Sequence, residues 1–213
     1  MIPPFKIPQN WEIYRSFDWG YHHPFSMGYY AYDGEVIYRI AEYYGVQYSG
    51  GDVLPNEGLK WSPDKVFSEC QRYEQEVFPG RNIKGVADPA IWDAESGISF
   101  AETAAKYGLF FSKGDHARIP GWMQCHYRLQ FDDLGYARFY VFDTCKEFIR
   151  TIPTLQYDKH KVEDLDSEGE DHCADEWRYM LMTRPIKPYV KQEEELPAWG
   201  SDPLDQYPKL RRR

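Results

Sequence analysis

The sequence predicts an α/β domain built on a mixed sheet whose first three strands are antiparallel. Three observations carry this. Asp33-Gly34 stands between two aromatic-rich runs, the two-residue signature of a tight β-hairpin. Ser62-Pro63 and Ser99-Phe-Ala-Glu102 are helix starts, the first a Ser cap before Pro, the second a capping box. Beyond them, short apolar runs alternate with helical ones up to Met182. A sheet that opens as a meander and continues through helical crossovers is a mixed sheet flanked by helices.

Taken in order, residues 1–10 are Pro-rich and read as an incoming linker. Tyr14-Arg-Ser-Phe-Asp18 is a first strand ending in an acid, with Trp19-Gly20 turning the chain. Pro24 to Tyr32 and Glu35 to Tyr44 are the next two strands, joined at Asp33-Gly34. The helix from Ser62 runs to about Val77, where Phe78-Pro-Gly80 stops it. Lys84-Gly-Val-Ala-Asp88 is a short strand, and Pro89 forbids further ladder pairing. The capped helix from Ser99 extends to about Tyr107. Lys113 to Gly121 reads as a loop with two cations and flexible glycines, and Trp122 to Leu129 as a helix. Ala137 to Phe142 is a strand, and Cys145 to Leu155 a short helix broken at Pro153. In the last helix, up to Met182, Ala174, Trp177 and Leu181 recur at i, i+3, i+7. The organisation is therefore one domain over 1–184 followed by a tail, 185–213. The tail holds five prolines, the acidic run Glu193–Glu195 and a terminal Arg211-Arg-Arg213, and reads as extended.

Composition excludes several classes. No apolar run approaches the ~18 residues of a membrane span, and Met1-Ile-Pro-Pro lacks the regions of a signal peptide. Cys70, Cys125, Cys145 and Cys173 have no C-x-x-C spacing and read as reduced thiols rather than a zinc site or a disulfide frame. The net charge of −9 argues against a nucleic-acid binder at first sight. The excess is local, however. Residues 158–176 hold nine acids against Lys159 and Lys161, so the remainder is nearly neutral.

Chemistry concentrates in Glu170-Asp-His-Cys-Ala-Asp-Glu-Trp-Arg-Tyr179. On a helix, His172 and Asp175 share a face, and Asp171 lies four before Asp175 on nearly the same side. The plain alternative is a solvated acidic first turn favoured by the helix dipole. Asp18 and Asp88 each end a strand beside a residue that stops pairing, and sites in α/β sheets gather at strand ends. Two strand-end acids with a helix acid and a His form a hard, oxygen-rich donor set that favours Mg²⁺ or Mn²⁺ over zinc. Two such ions activate water and stabilise a leaving oxygen in phosphodiester hydrolysis.

The residues that carry a family resemblance are spread along the chain. They are Ile2-Pro-Pro, Tyr14-Arg-Ser-Phe-Asp-Trp-Gly20 with Pro24-Phe25, Gly85-Val-Ala-Asp-Pro-Ala90, and Lys113 through Arg118-Ile-Pro-Gly-Trp122. Phe142-Asp-Thr-Cys-Lys-Glu-Phe-Ile-Arg-Thr-Ile-Pro153 and Glu163-Asp164 through Tyr179 complete the set, the last with D-H-x-x-D-x-x-R-Y. Over residues 2–185 the chain resembles the C-terminal nuclease domain of the large terminase subunit of tailed double-stranded-DNA phages, within the ribonuclease H superfamily. The resemblance implies a ribonuclease H-like fold and an endonuclease that uses two Mg²⁺ or Mn²⁺ ions to cut double-stranded phage DNA during genome packaging. It implies Asp18 as the first-strand ligand bridging both ions, Asp88 as the second-strand ligand and Asp175 as the helix ligand. His172 or Asp171 is the accessory ligand, and Lys113 and Arg118 contact DNA phosphates. The implied partners are duplex DNA, an ATPase motor domain, the small terminase subunit and the portal, with no membrane. The implied location is the cytoplasm of the infected bacterial host.

One departure matters. No G-x-x-x-x-G-K-[ST] loop occurs, so this chain does not itself power packaging. Asp93, Asp115 and Asp143 read as structural, and His22 and His23 as surface residues that border the site. Two other functions compete: a resolvase-like nuclease of the same superfamily acting on branched DNA, and an aromatic-rich carbohydrate-binding module suggested by the 17% aromatic content.

Overall fold

The computed structural model describes residues 1–94 and 97–190. The expected α/β class with an antiparallel opening is what it contains. Strands β1 (Glu12–Asp18), β2 (Ser26–Tyr32) and β3 (Ile37–Tyr44) form the antiparallel meander. Strand β6 (Ile83–Ala87) lies parallel to β1, β7 (Ser112–Lys113) parallel to β6, and β8 (Phe139–Val141) parallel to β3. Together they make a six-stranded sheet in the order β7-β6-β1-β2-β3-β8. The central strands are buried along nearly their whole length because helices cover both faces.

Five α-helices flank the sheet. Helix α1 (Pro63–Val77) starts as expected: Ser62 is extended and its side chain accepts from Lys65 N. Helix α2 (Phe100–Lys106) has the full Ser99/Glu102 capping box. Helix α4 (Lys146–Thr151) ends at a 3-10 turn containing Pro153. Helix α5 (His172–Met182) is almost wholly buried and packs across β1 and β2. Aromatic residues supply much of the core, with Phe17, Phe25 and Phe67 packed ring to ring on the α1 side.

Four features depart from the sequence expectation. Residues 46–58 form a second hairpin, β4 (Val46–Ser49) with β5 (Asp52–Gly58), turned at Gly50-Gly51, both with positive φ. Helix α3 spans Arg118–Leu129, so 118–121 is helix rather than loop. Pro120 falls in the first turn, where no intrahelical N–H is needed. Gly121 is required for close approach to α5, since a Cβ there would lie 2.4 Å from Arg178 Cγ. Residues 1–10 are more than a linker, because Ile2 bridges to Phe142 and prolongs the sheet edge beside β8. The expected tail falls mostly on 191–213, outside the described residues. Its first part, 185–190, has no helix or strand and is held along α3. There the Gln124 amide accepts from Ile186 N at 2.7 Å and donates to Ile186 O at 3.1 Å. Gln130 does the same for Tyr189.

Candidate active site

Parallel pairing of β1 with β6 sets Phe17 opposite Ala87, so Asp18 and Asp88 leave the sheet side by side. The Asp88 amide still donates to Phe17 O at 3.1 Å. Pro89 then ends the ladder, and the Asp88 carboxylate turns back to accept from Ala90 N at 2.9 Å, capping a 3-10 turn. Helix α5 begins over this sheet end. Its first residue, His172, meets Asp18 through Nδ1 at 2.5 Å from Oδ2. Asp175 follows three residues later on the same face, and Asp171 precedes the helix with no side-chain cap bond.

The acids are crowded and mostly dry. Asp18 is 6% exposed, and Asp171 and Asp175 are 8% each. Burial raises the Asp18 carboxyl well above its ordinary value against the opposing pull of His172, and the charges of Asp175 and Asp88 raise it further. Burial likewise pushes Asp171 up to about 6, with Asp175 adding to the rise. Burial alone would lower His172; its bond to Asp18 and the charges of Asp18, Asp171 and Asp175 outweigh that and raise it. Like charges disfavour joint ionisation, and a cation relieves them.

Arginines answer part of that charge. Arg178, 1% exposed, donates to Asp175 Oδ1 from Nε at 3.0 Å and Nη2 at 2.7 Å. Arg118 reaches Asp175 Oδ2 at 3.1 Å and also donates from Nε to Asp164 Oδ1 at 2.7 Å. Trp122 Nε1 donates to the same Asp164 oxygen at 2.8 Å, so the acidic segment is tied down beside the site.

The donor types and their charge therefore fit a hard divalent cation. Their present rotamers are those of side chains satisfied by one another: Asp18 on His172, Asp175 on two arginines, Asp88 on its own turn. Consistent with this, no three His, Cys, Asp or Glu side chains among the described residues surround a single point as an ion would require. Asp18, Asp88, Asp171, His172 and Asp175 stand as one neighbourhood. Lys113 opens from the same sheet end, paired in register with Ala87, and lies exposed with Nζ 5.6 Å over the Trp92 ring. Arg118 is held by carboxylates rather than standing free.

The residues read as structural behave so in part. Asp115 caps Ala117 N and Asp143 N binds Ile2 O. His23 binds Asn56 O of the β4–β5 hairpin and its ring lies 6.1 Å from that of His172, while His22 is exposed. Sequence reasoning missed Arg178 and Asp164 as partners of the site, although both lie inside the motifs that carried the resemblance. The four cysteines are buried and unpaired. No helix among the described residues is long and apolar enough to cross a membrane.

The same architecture recurs in solved large terminases. A full large terminase from a thermophilic bacteriophage, in complex with ADP, superposes with a TM-score of 0.64 at 21% identity, covering 86% of this chain and 42% of that one. The P22 large terminase nuclease domain gives 0.55 at 16% identity, with 86% of each chain covered. The large terminase nuclease from the thermophilic phage G20c, with bound cobalt, gives 0.53 at 8% identity, covering 85% and 91%. The fold is thus that of the large terminase nuclease domains. The chain spans about two fifths of the length of the ADP-bound terminase it matches. No family model and no curated protein matches the sequence.

Proposed function

We propose that this chain is the nuclease domain of a phage large terminase, a ribonuclease H-like hydrolase that cuts double-stranded DNA with two Mg²⁺ or Mn²⁺ ions during genome packaging. The observation that carries the reading is the buried neighbourhood of Asp18, Asp88, Asp175 and His172, in a fold shared with nuclease domains of which one holds cobalt. In this reading Asp18, Asp88 and Asp175 hold the ions, with His172 or Asp171 as the accessory ligand. The bound ions supply Lewis-acid charge to the attacking water and the leaving oxygen. Asp18, between Asp88 and helix α5, is the ligand shared by both sites. His172 orients the Asp18 carboxylate through Nδ1. Arg178 fixes Asp175 from behind, and Lys113 and Arg118 meet phosphates at the rim. The ATPase motor, the small subunit, the portal and the host cytoplasm belong to the same proposal. The motor must lie outside these 213 residues, which contain no phosphate-binding loop.

The test is nicking of supercoiled plasmid in Mg²⁺, Mn²⁺ or Co²⁺, beside a branched-junction substrate. The expected result is metal-dependent cutting of duplex DNA by the parent and none by Asp18→Asn. No cutting by the parent in any of the three metals, or cutting by Asp18→Asn, overturns the reading. Preference for the junction moves it to a resolvase.

A further inference from the structure

Asp175 and Glu176 are adjacent on α5, yet a helix turns 100° per residue, so they leave it in different directions. Asp175 faces the carboxylate neighbourhood. Glu176 points into the sheet and is fully buried. Its Oε2 accepts from Arg39 Nη1 at 2.7 Å and its Oε1 from Tyr30 Oη at 2.7 Å. The Glu176 backbone carbonyl accepts from Ser16 Oγ at 2.6 Å, two residues before Asp18 on β1. Arg39, also fully buried, reaches Glu42 as well, and the Glu42 carboxylate accepts from Glu147 N and Phe148 N at the start of α4. Gly28 makes the arrangement possible: a Cβ there would lie 2.2 Å from Glu176 Oε1 and 2.4 Å from Arg39 Nη1.

Resting on the metal-nuclease reading above, we propose that the Arg39–Glu176 pair is a positioning element of the active site. It fixes the rotation of α5 about its own axis and so aims His172 and Asp175 at Asp18. The energetics point the same way. A sealed ion pair gains little over well-packed apolar residues, because both charges must be dehydrated. Here the dehydration is incomplete in its reward, since Arg39 Nε is buried without a partner. What the pair does supply is direction, because a guanidinium fork accepts a carboxylate in few geometries. The sensitivity is steep. Side chains lie roughly 5–6 Å from a helix axis, so a 20° rotation of α5 moves a carboxylate by about 2 Å. Metal–ligand distances tolerate about 0.2 Å.

The test replaces the pair with apolar groups of similar size, Arg39→Met with Glu176→Leu, and compares it with Glu176→Gln, which keeps the shape and an acceptor. Mn²⁺ affinity is measured by calorimetry, and melting temperature is measured without metal. The expected result is a paired variant that melts at or above the parent temperature yet binds Mn²⁺ about 10- to 100-fold more weakly, the loss typical of removing a group that orients a ligand. Glu176→Gln recovers most of that affinity. A folded paired variant with the parent's Mn²⁺ affinity overturns the proposal. If the paired variant does not fold, Gly28→Ala, which keeps both charges and displaces them, is judged by the same affinity loss. Asp18→Asn separates the two levels of argument. Parent binding that Asp18→Asn abolishes and the paired variant retains defeats the positioning role alone. Equal Mn²⁺ binding, or none, by parent and Asp18→Asn defeats the metal reading and the positioning role with it.

Discussion

The two faces of α5 solve the same electrostatic problem in opposite ways. On the sheet face, Glu176 meets Arg39 with both side chains fully buried. On the site face, Asp175 meets Arg178, also buried, and Arg118, whose side chain keeps 29% exposure. The first pair has no route by which solvent or a ligand exchanges with it. The second is open on one side, so the Arg118 contact can be traded for another cation or for a phosphate. A carboxylate with a permanent partner is architecture. One with an exchangeable partner is available for chemistry.

Breaking the sealed face should cost most. Glu176→Ala leaves the Arg39 charge buried and unpaired, and we expect a loss of about 3–5 kcal/mol, read as a lower denaturation midpoint in urea. A loss below about 1 kcal/mol would mean that water reaches this pair and that the contrast between the faces is false.

On the open face, Asp18→Asn should lower plasmid cutting by at least about 10³-fold, some 4 kcal/mol of barrier. Without metal it should be as stable as the parent or more so, because it removes a buried carboxyl that its neighbours disfavour. Mn²⁺ at 100 times its dissociation constant should stabilise the parent by about 2.7 kcal/mol, and Asp18→Asn by much less. Equal thermal shifts in the two proteins would remove Asp18 from the ion site.

Asp175→Asn sharpens the comparison, because this acid is both a candidate ligand and an arginine partner. It too should abolish cutting, but unlike Asp18→Asn it should destabilise the metal-free protein, by about 3 kcal/mol, since Arg178 loses its carboxylate. A metal-free Asp175→Asn protein as stable as the parent would show that Arg178 is satisfied without it. The smallest effect belongs to the rim. Lys113→Ala should weaken duplex binding modestly and uniformly across sequences, and lower the slope of log affinity against log salt by about 1. An unchanged slope would remove Lys113 from the phosphate contacts.

Much of this was legible in the chain. Asp33-Gly34, the Ser62 cap and the Ser99/Glu102 box each specify a local geometry by themselves, and each is present. The ends of β1 and β6 were marked by Trp19-Gly20 and Pro89, which is why Asp18 and Asp88 stood out. The β4–β5 hairpin was not legible: its strands are short, largely exposed and without apolar alternation. The start of α3 was hidden because Pro120 and Gly121 are breakers by composition; only the approach of Arg178 explains the glycine. Nor does sequence distinguish a buried arginine from a solvated one. Arg39, Arg128 and Arg178 are all buried, and the partners of Arg39 and Arg178 include residues 137 and 63 positions away. Such pairings exist only once the chain has folded.

The bond between Asp18 and His172 joins residues 154 positions apart. Contacts of such long sequence separation form late, because a large loop must close before they return any energy. During synthesis from the N-terminus, Asp18 and Asp88 emerge long before α5 exists. A growing chain therefore carries two acids at the end of an incomplete sheet and lacks both the His and the third carboxylate. The site is assembled by one of the last elements to appear, so the unfinished polypeptide is chemically silent and any product truncated before residue 172 stays so.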